Sequence, residues 1–288
     1  GRRQIPQVAQ AIVAQEILPS RQFLCTWAAG LPVHSILMAA AQGKFLVAGA
    51  TSIGAALARR LAARGQAVHL AGRQEDALRS LASELGPSTS WSKCDVLEEG
   101  AVARLAKDAT AAAGGHLEGL AYCVGDIPLK SIRAVKRDEF MRTYQLHCWG
   151  ALELVQATLP ALQKAPGGSS VVLFSSLAVA QGFPMHSVIA SAKGGVEGLV
   201  LSLAAELAPK VRVNCVRPGL TKTSIASRLL KDEAAEKKMG EVNPLPRVGA
   251  PEDAAALAAF LLCEESGWIT GQIIGVDGGR SSLRHKSQ

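Results

Sequence analysis

The sequence predicts an α/β domain wound on both faces of one parallel sheet. Three observations predict it. Short apolar runs alternate with segments of helical periodicity from Lys44 to Val276. A glycine-bearing turn joins the first apolar run to the first helical segment. Hydrophobic residues make up 48% of the 288-residue chain and aromatics only 4%, with alanine and glycine plentiful, which suits close packing of helices on a sheet.

The elements follow in order. Lys44–Ala48 is a buried strand ending at glycine, and Ile53–Arg64 is helical. Ala67–Ala71 is the next strand, Asp76–Leu85 the next helix. Trp91–Val96 and Gly119–Val124 are strands flanking a helix at Glu98–Ala113. One long helix fits Asp138–Gln163. Val171–Ser175 is a β-branched strand, Ser187–Leu207 a helix, Val211–Val216 a strand, Glu252–Cys263 a helix and Ile273–Val276 the last strand. Strands separated by helices of ten to twenty residues imply right-handed crossovers and a parallel sheet.

Residues 1–43 stand apart. Glu16 is their sole acidic residue, against Arg2, Arg3 and Arg21, and the segment does not begin with Met. Two readings compete: an organelle-targeting peptide for a plastid or mitochondrion, or an extension that docks on a protein partner. Phe23, Leu24, Trp27, Leu31, Ile36 and Leu37 are too many apolar residues for a solvated tail and favour the second. Outside an organelle the expected compartment is the cytoplasm. Residues 281–288 form a short basic tail.

The formal net charge of +7 admits an anionic partner, and Arg133, Lys136, Arg137 and Arg142 form the obvious cluster. No long basic run with interleaved aromatics occurs, so a scattered-charge surface is favoured over nucleic-acid binding. The six cysteines, Cys25, Cys94, Cys123, Cys148, Cys215 and Cys263, form no C-x-x-C pair and no zinc pattern. Most lie in apolar stretches and read as small buried hydrophobes of a reducing compartment. No uninterrupted apolar run reaches the roughly 18 residues of a membrane span.

Gly49-Ala50-Thr51-Ser52-Ile53-Gly54 lies between strand and helix. Glycines there let a pyrophosphate approach the backbone, and the helix N-terminus offers free N–H groups; Thr51 and Ser52 add hydroxyls. A tight turn without ligand is the competing reading. The second strand runs into Gly72-Arg73, where an acid would bind adenosine ribose hydroxyls. Arg73 instead offers a fork for a 2′-phosphate, favouring NADP(H) over NAD(H) if a dinucleotide binds.

Several segments together resemble the short-chain dehydrogenase/reductase family. Asp95-Val96 resembles its adenine-contacting pair. Tyr122-Cys123-Val124-Gly125 stands at its Asn-Asn-Ala-Gly turn, and Ser175-Ser176 at its catalytic serine segment. Ala190–Leu199 looks like the helix that carries its lysine, at Lys193. Val213–Gly219 matches its Asn-x-x-x-Pro-Gly signature, and Gly267–Gly279 its C-terminal segment. The resemblance covers residues 44–280. It implies a single Rossmann-type, doubly wound sheet of seven strands in the order 3-2-1-4-5-6-7, preceded by the N-terminal extension. It implies that Lys193 bonds the nicotinamide ribose, that Pro218 and Gly219 border the dinucleotide, and that Thr221 and Thr223 lie near the carboxamide. A homo-oligomer through the helices at 138–163 and 187–207 is implied too.

The family's mechanism uses a serine, a lysine and a tyrosine one helical turn before the lysine, so that both point into one pocket. Four residues before Lys193 stands Ile189, and thirteen residues after Ser176 stands Ile189 again. Isoleucine has no transferable proton. His147 stands at the family's asparagine, both asparagines of the turn are replaced, and the glycine loop is one residue short. These departures predict a catalytically impaired, NADP(H)-binding accessory subunit. The alternative is an active reductase with an imidazole donor, His147 or His186. The segment 222–248 is expected to cover the pocket. His186 is expected to precede its helix, and Tyr144 to pack beside the core.

Overall fold

The structure, a computed structural model, describes residues 44–284. The expectations for residues 1–43 and for the last four residues of the tail lie outside the described residues. Seven strands form one parallel sheet in the order β3-β2-β1-β4-β5-β6-β7. They are β1 (Lys44–Ala48), β2 (Ala67–Gly72), β3 (Thr89–Lys93), β4 (Gly119–Tyr122), β5 (Ser169–Phe174), β6 (Val211–Pro218) and β7 (Ile273–Val276). The predicted order is the observed one.

Alternation along each strand feeds two cores, as a period of two requires. Leu46 and Ala48 of β1 face one core, against α3 (Ala101–Ala112), α5 (Gly150–Leu162) and α7 (Ser187–Leu207). Phe45 and Val47 face the other, against α1 (Ser52–Ala63), α2 (Glu75–Leu85) and α9 (Pro251–Leu262). Tight packing explains the small residues: a Cβ on Gly119 of β4 would stand 2.5 Å from the Phe45 ring.

Several expectations need correction. β3 starts two residues earlier than predicted and ends at Lys93, because its alternation of Ser90, Ser92 and Trp91 belongs to a half-buried edge strand. The residues after it, Asp95–Gly100, form turns, and α3 begins only at Ala101. The single helix predicted at 138–163 is α4 (Arg137–Tyr144), a π-helical turn (Gln145–Trp149) and α5 in continuation. Two short helices were not foreseen: α6 (Leu177–Ala180), capped by the Ser176 hydroxyl, and α8 (Glu233–Glu241), capped by Asp232. Tyr144 is 41% exposed and does not pack into the core. Finally, α7 is long and apolar enough to cross a membrane by length and composition. It contains Lys193 and Glu197, and buries Val196, Val200, Leu203 and Leu207 in the first core. This is the pattern of a core helix that runs under a sheet.

Candidate active site

The C-terminal ends of the strands bring the predicted residues to one edge of the sheet. Gly49 follows β1 with φ +86°, and a Cβ there would stand 2.7 Å from the Cys123 carbonyl carbon and the Val124 nitrogen. Only glycine fits. A Cβ on Gly54 would stand 2.1 Å from the Gly49 oxygen, so the shortened loop closes on itself. One residue fewer also leaves Ser52, the first residue of α1, at φ +41°. Thr51 flanks α1 without a side-chain cap bond. First-turn N–H groups have no acceptor inside a helix. That of Gly54 goes to the Thr51 oxygen at 2.8 Å, leaving those of Ser52 and Ile53 for a ligand.

Arg73, just past β2, is exposed. Asp95 accepts a hydrogen bond from the Leu97 N–H at 3.1 Å, and Val96 is buried beside it. Thr221 is buried and donates to the Gly219 oxygen at 3.0 Å; Thr223 starts the next turn with a half-buried side chain. Gly219 lies against Asp277, where a Cβ would stand 2.9 Å from the Asp277 Cα. The loop, Arg73, the Asp95-Val96 pair and the Pro218-Gly219 corner therefore fit a dinucleotide laid along the strand ends. Cys123, Val124 and Gly125 line the middle of that edge, all half-buried.

At the chemical centre Ser176 follows β5, and its Oγ accepts the Ala178 N–H at 3.2 Å. Lys193 is buried, and its Nζ donates to the Phe174 oxygen at 2.8 Å. Burial pushes its ammonium down to about 8. Ile189, one turn earlier in α7, is fully enclosed. His186 stands just ahead of α7, as expected; its Nδ1 lies 2.8 Å from the Pro184 oxygen and its ring 5.4 Å from that of Phe183. It lines a cleft of about 390 Å³ with Lys130, Ile132, Phe183 and Met185.

The chain has two tyrosines, and neither supplies the missing phenol in an acidic form. Tyr122 is buried, donates to the Leu146 oxygen at 2.7 Å, and burial raises its pKa far above the ordinary value. Tyr144 is raised too, by the neighbouring Cys148, and sits against Gly195.

The π-helical turn is what the sequence did not announce. Its extra residue buries Leu146, His147 and Cys148 consecutively, which one face of an α-helix cannot do. His147 Nε2 lies 3.2 Å from Asp126 Oδ1, and Arg142 pairs with the same carboxylate at 3.2 Å. These contacts hold Asp126 below the usual carboxylate range. His147 itself is pushed down to about 4, by burial first and then by the Lys193 charge, against the opposing pull of Asp126. Asp126 was missed as a site residue because its role depends on this helical irregularity. The described cysteines are all unpaired; burial raises each thiol, Cys123 and Cys215 to about 12. Among the described residues no cluster could hold a metal ion.

The family model described as enoyl-(acyl carrier protein) reductase matches residues 47–281. The chain belongs to the short-chain dehydrogenase/reductase family. Among its relatives are a tropinone reductase homolog of Arabidopsis thaliana, 34% identical over 81% of this chain and 90% of that protein, and the human dehydrogenase/reductase SDR family member 4, 34% identical over 82% and 86%. Another Arabidopsis tropinone reductase homolog, named chloroplastic, is 33% identical over 82% of this chain and 74% of that protein. Among solved structures, a gluconate 5-dehydrogenase from Burkholderia cenocepacia in complex with NADP and tartrate superposes with a TM-score of 0.78, at 25% identity, over 85% of this chain and 97% of that one. This short-chain dehydrogenase/reductase thus combines the family's sheet with an aliphatic residue one turn before its lysine.

Proposed function

We propose that the chain binds NADP(H) and is impaired in the proton-transfer half of the family's reaction, acting as an accessory subunit of a larger assembly. The observation that carries this reading is Ile189: it is enclosed, one turn before Lys193, and offers no proton. A bound nicotinamide would supply a hydride. Ser176 would orient a carbonyl, Lys193 would hold the ribose, and nothing at 189 would deliver the proton that must accompany reduction. The Ser52 and Ile53 N–H groups would take the pyrophosphate. Arg73 favours the 2′-phosphate, and the relative crystallised with NADP supports that choice.

Titration with NADPH and NADH, followed by single-turnover oxidation against a carbonyl panel, tests the reading. Tight NADPH binding without turnover is expected; turnover at rates ordinary for such reductases overturns it. Arg73→Glu should weaken NADPH about 10- to 100-fold, the worth of a charge-assisted contact, and leave NADH unchanged.

A second reading, a reductase with an imidazole donor, is favoured by the Asp126–His147 contact. Its mark is turnover that vanishes in His147→Ala or His186→Ala. The accessory role rests on the apolar residues of 1–43, and deleting that segment should release the protein from its assembly. The segment's basic bias and the chloroplastic relative support a plastid address. The cluster at Arg133–Arg142 supports nucleic-acid binding poorly, because Asp138 and Glu139 interrupt it and Arg142 is paired with Asp126. A homo-oligomer through the α4–α5 region and α7 is supported by exposed Met141, Trp149 and Leu201 on those helices.

A further inference from the structure

At the catalytic ends of the strands the buried and half-buried basic side chains have tasks already. Lys130 pairs with Glu139, and Arg217 grips both Glu197 oxygens at 2.8 Å. Lys193 serves the centre itself. Arg280 is the exception. It is half-buried, yet it has no carboxylate partner among the described residues. A cation set partly out of water without a counter-charge calls for an explanation.

The turn after β7 aims this side chain. Asp277 accepts the Gly279 N–H at 2.9 Å, the Ser281 N–H at 3.2 Å and the Ser281 hydroxyl, so the carboxylate nearest in sequence is committed to its own turn. Gly278 and Gly279 stand at φ +64° and +84°, and the Gly278 oxygen takes the Leu245 N–H at 3.0 Å. From there Arg280 reaches two other parts of the site. Its Nε donates to Gln181 Oε1 at 3.2 Å, and its Nη1 to the Val242 oxygen. Val242 lies in the segment 222–248, expected to cover the pocket. Gln181 ends α6, the helix capped by Ser176, and leads into Gly182–Ser187, one wall of the 390 Å³ cleft. A guanidinium has five N–H donors, and Nη2 is uncommitted among the described residues.

The dinucleotide does not account for it. The phosphate loop follows β1, and β7 lies four strand spacings away, about 19 Å at about 4.8 Å each. One planar fork suits one planar carboxylate, held through two parallel N–H bonds. A phosphate dianion would call for a second cation, and Lys130 and Arg217 are already neutralised. The cleft itself offers an apolar lining in Ile132, Phe183 and Met185. We propose that Arg280 is a specificity-determining residue that receives the carboxylate of an aliphatic oxo acid, whose carbonyl lies at Ser176 and whose body runs along Phe183 and Met185. This rests on the nucleotide and carbonyl site read above and names the class of compound it takes. The contact is charge pairing, and no bond forms or breaks at Arg280.

Levulinate and its homologues lengthened by one to three methylenes, each against its methyl ester, test this by calorimetry on the full chain with NADP⁺. At least one acid should bind about 10-fold or more tightly than its ester, the worth of a charge-assisted contact. That preference should fall to near parity in Arg280→Gln and persist in part in Arg280→Lys. A side chain that merely latched Val242 to Gln181 would weaken acid and ester alike when removed. No acid preferred over its ester, or a preference that survives Arg280→Gln, overturns the proposal. A second arm needs no variant. Phenylglyoxal modification of Arg280 in the unaltered chain, read by peptide mass with and without NADP⁺, should be slowed severalfold by an acid and not by its ester. Absence of that difference in both states overturns it as well. If NADP⁺ itself does not bind, the nucleotide reading fails, and protection without nucleotide still decides the carboxylate site.

Discussion

The corner where β6 meets β7 and the start of α7 treat the family's pattern in opposite ways. At the corner the signature residues are kept, and Asn214 and Thr270, with Arg212 beside them, have structural tasks. Arg212 donates to the Leu261 oxygen at 3.0 Å, the Ser266 hydroxyl at 2.9 Å and the Cys263 oxygen at 3.0 Å. Asn214 donates to the Ile269 oxygen at 2.9 Å and accepts from the Gln272 N–H at 3.0 Å; the Thr270 hydroxyl takes the Val213 N–H at 3.1 Å. Around α7 the residues that would act on a substrate are replaced by Ile189 and His147, and the replacements are well packed. The difference separates what a buried backbone requires from what a reaction requires. Backbone groups left without partners destabilise the fold itself, while loss of a proton donor leaves stability untouched.

The largest effect should come from the catalytic side. Ile189→Tyr restores a phenol one turn before Lys193 and should raise carbonyl-dependent NADPH oxidation by up to about 10²–10⁴, read in single turnovers. No gain at all would mean the altered glycine loop and His147, not Ile189, silence the site. Next, Arg212→Ala should cost roughly 1–3 kcal/mol by denaturant unfolding, because the Leu261, Cys263 and Ile269 oxygens each lose one donor while keeping another. A near-neutral result would erase the contrast between the two regions.

Acid should act through two histidines, and the sign follows from their folded values. His69 is held near 4 by burial, with Nδ1 at 2.8 Å from the Ser90 hydroxyl and Nε2 at 3.0 Å from that of Ser92, and His147 is near 4 as well. The unfolded chain takes up these protons near 6.5 and the folded one only near 4. Their stabilisation is therefore complete above 6.5 and is lost as pH falls from 6.5 toward 4, by roughly 3 kcal/mol for each residue. His69→Gln should flatten half of that slope in urea titrations between these values. The smallest effect belongs to the loop. Ser52→Gly relieves a left-handed serine and should stabilise the protein by about 1 kcal/mol or less, measured as a rise in Tm.

Much of this was legible in advance, and the reasons are local. Short continuous apolar runs placed the inner strands because a parallel sheet is buried on both faces. The spacings from Ser176 and from Lys193 both reached Ile189, and the structure puts it inside α7 as counted. The failures have equally local causes. β3 is half-polar because it is an edge, so its limits could not be read from hydrophobicity. The π turn has no sequence signature, and with it went Asp126 and the depth at which His147 lies. Short capped helices such as α6 and α8 carry too few apolar residues to register as periodic.

The tie between Tyr122 and Leu146 has a consequence for how this chain can change. The phenol fills the gap left by Gly150, where a Cβ would stand 2.4 Å from the Tyr122 oxygen. Its hydrogen bond also serves a carbonyl at the π turn. Changing Tyr122 alone to the family's asparagine would open a hole and remove the phenol's bond to that carbonyl, and changing His147 alone would leave Asp126 with Arg142 as its side-chain partner. The Tyr122 phenol, Gly150 and the π turn therefore form one packed unit, in which a change at Tyr122 is felt at the helix that carries His147.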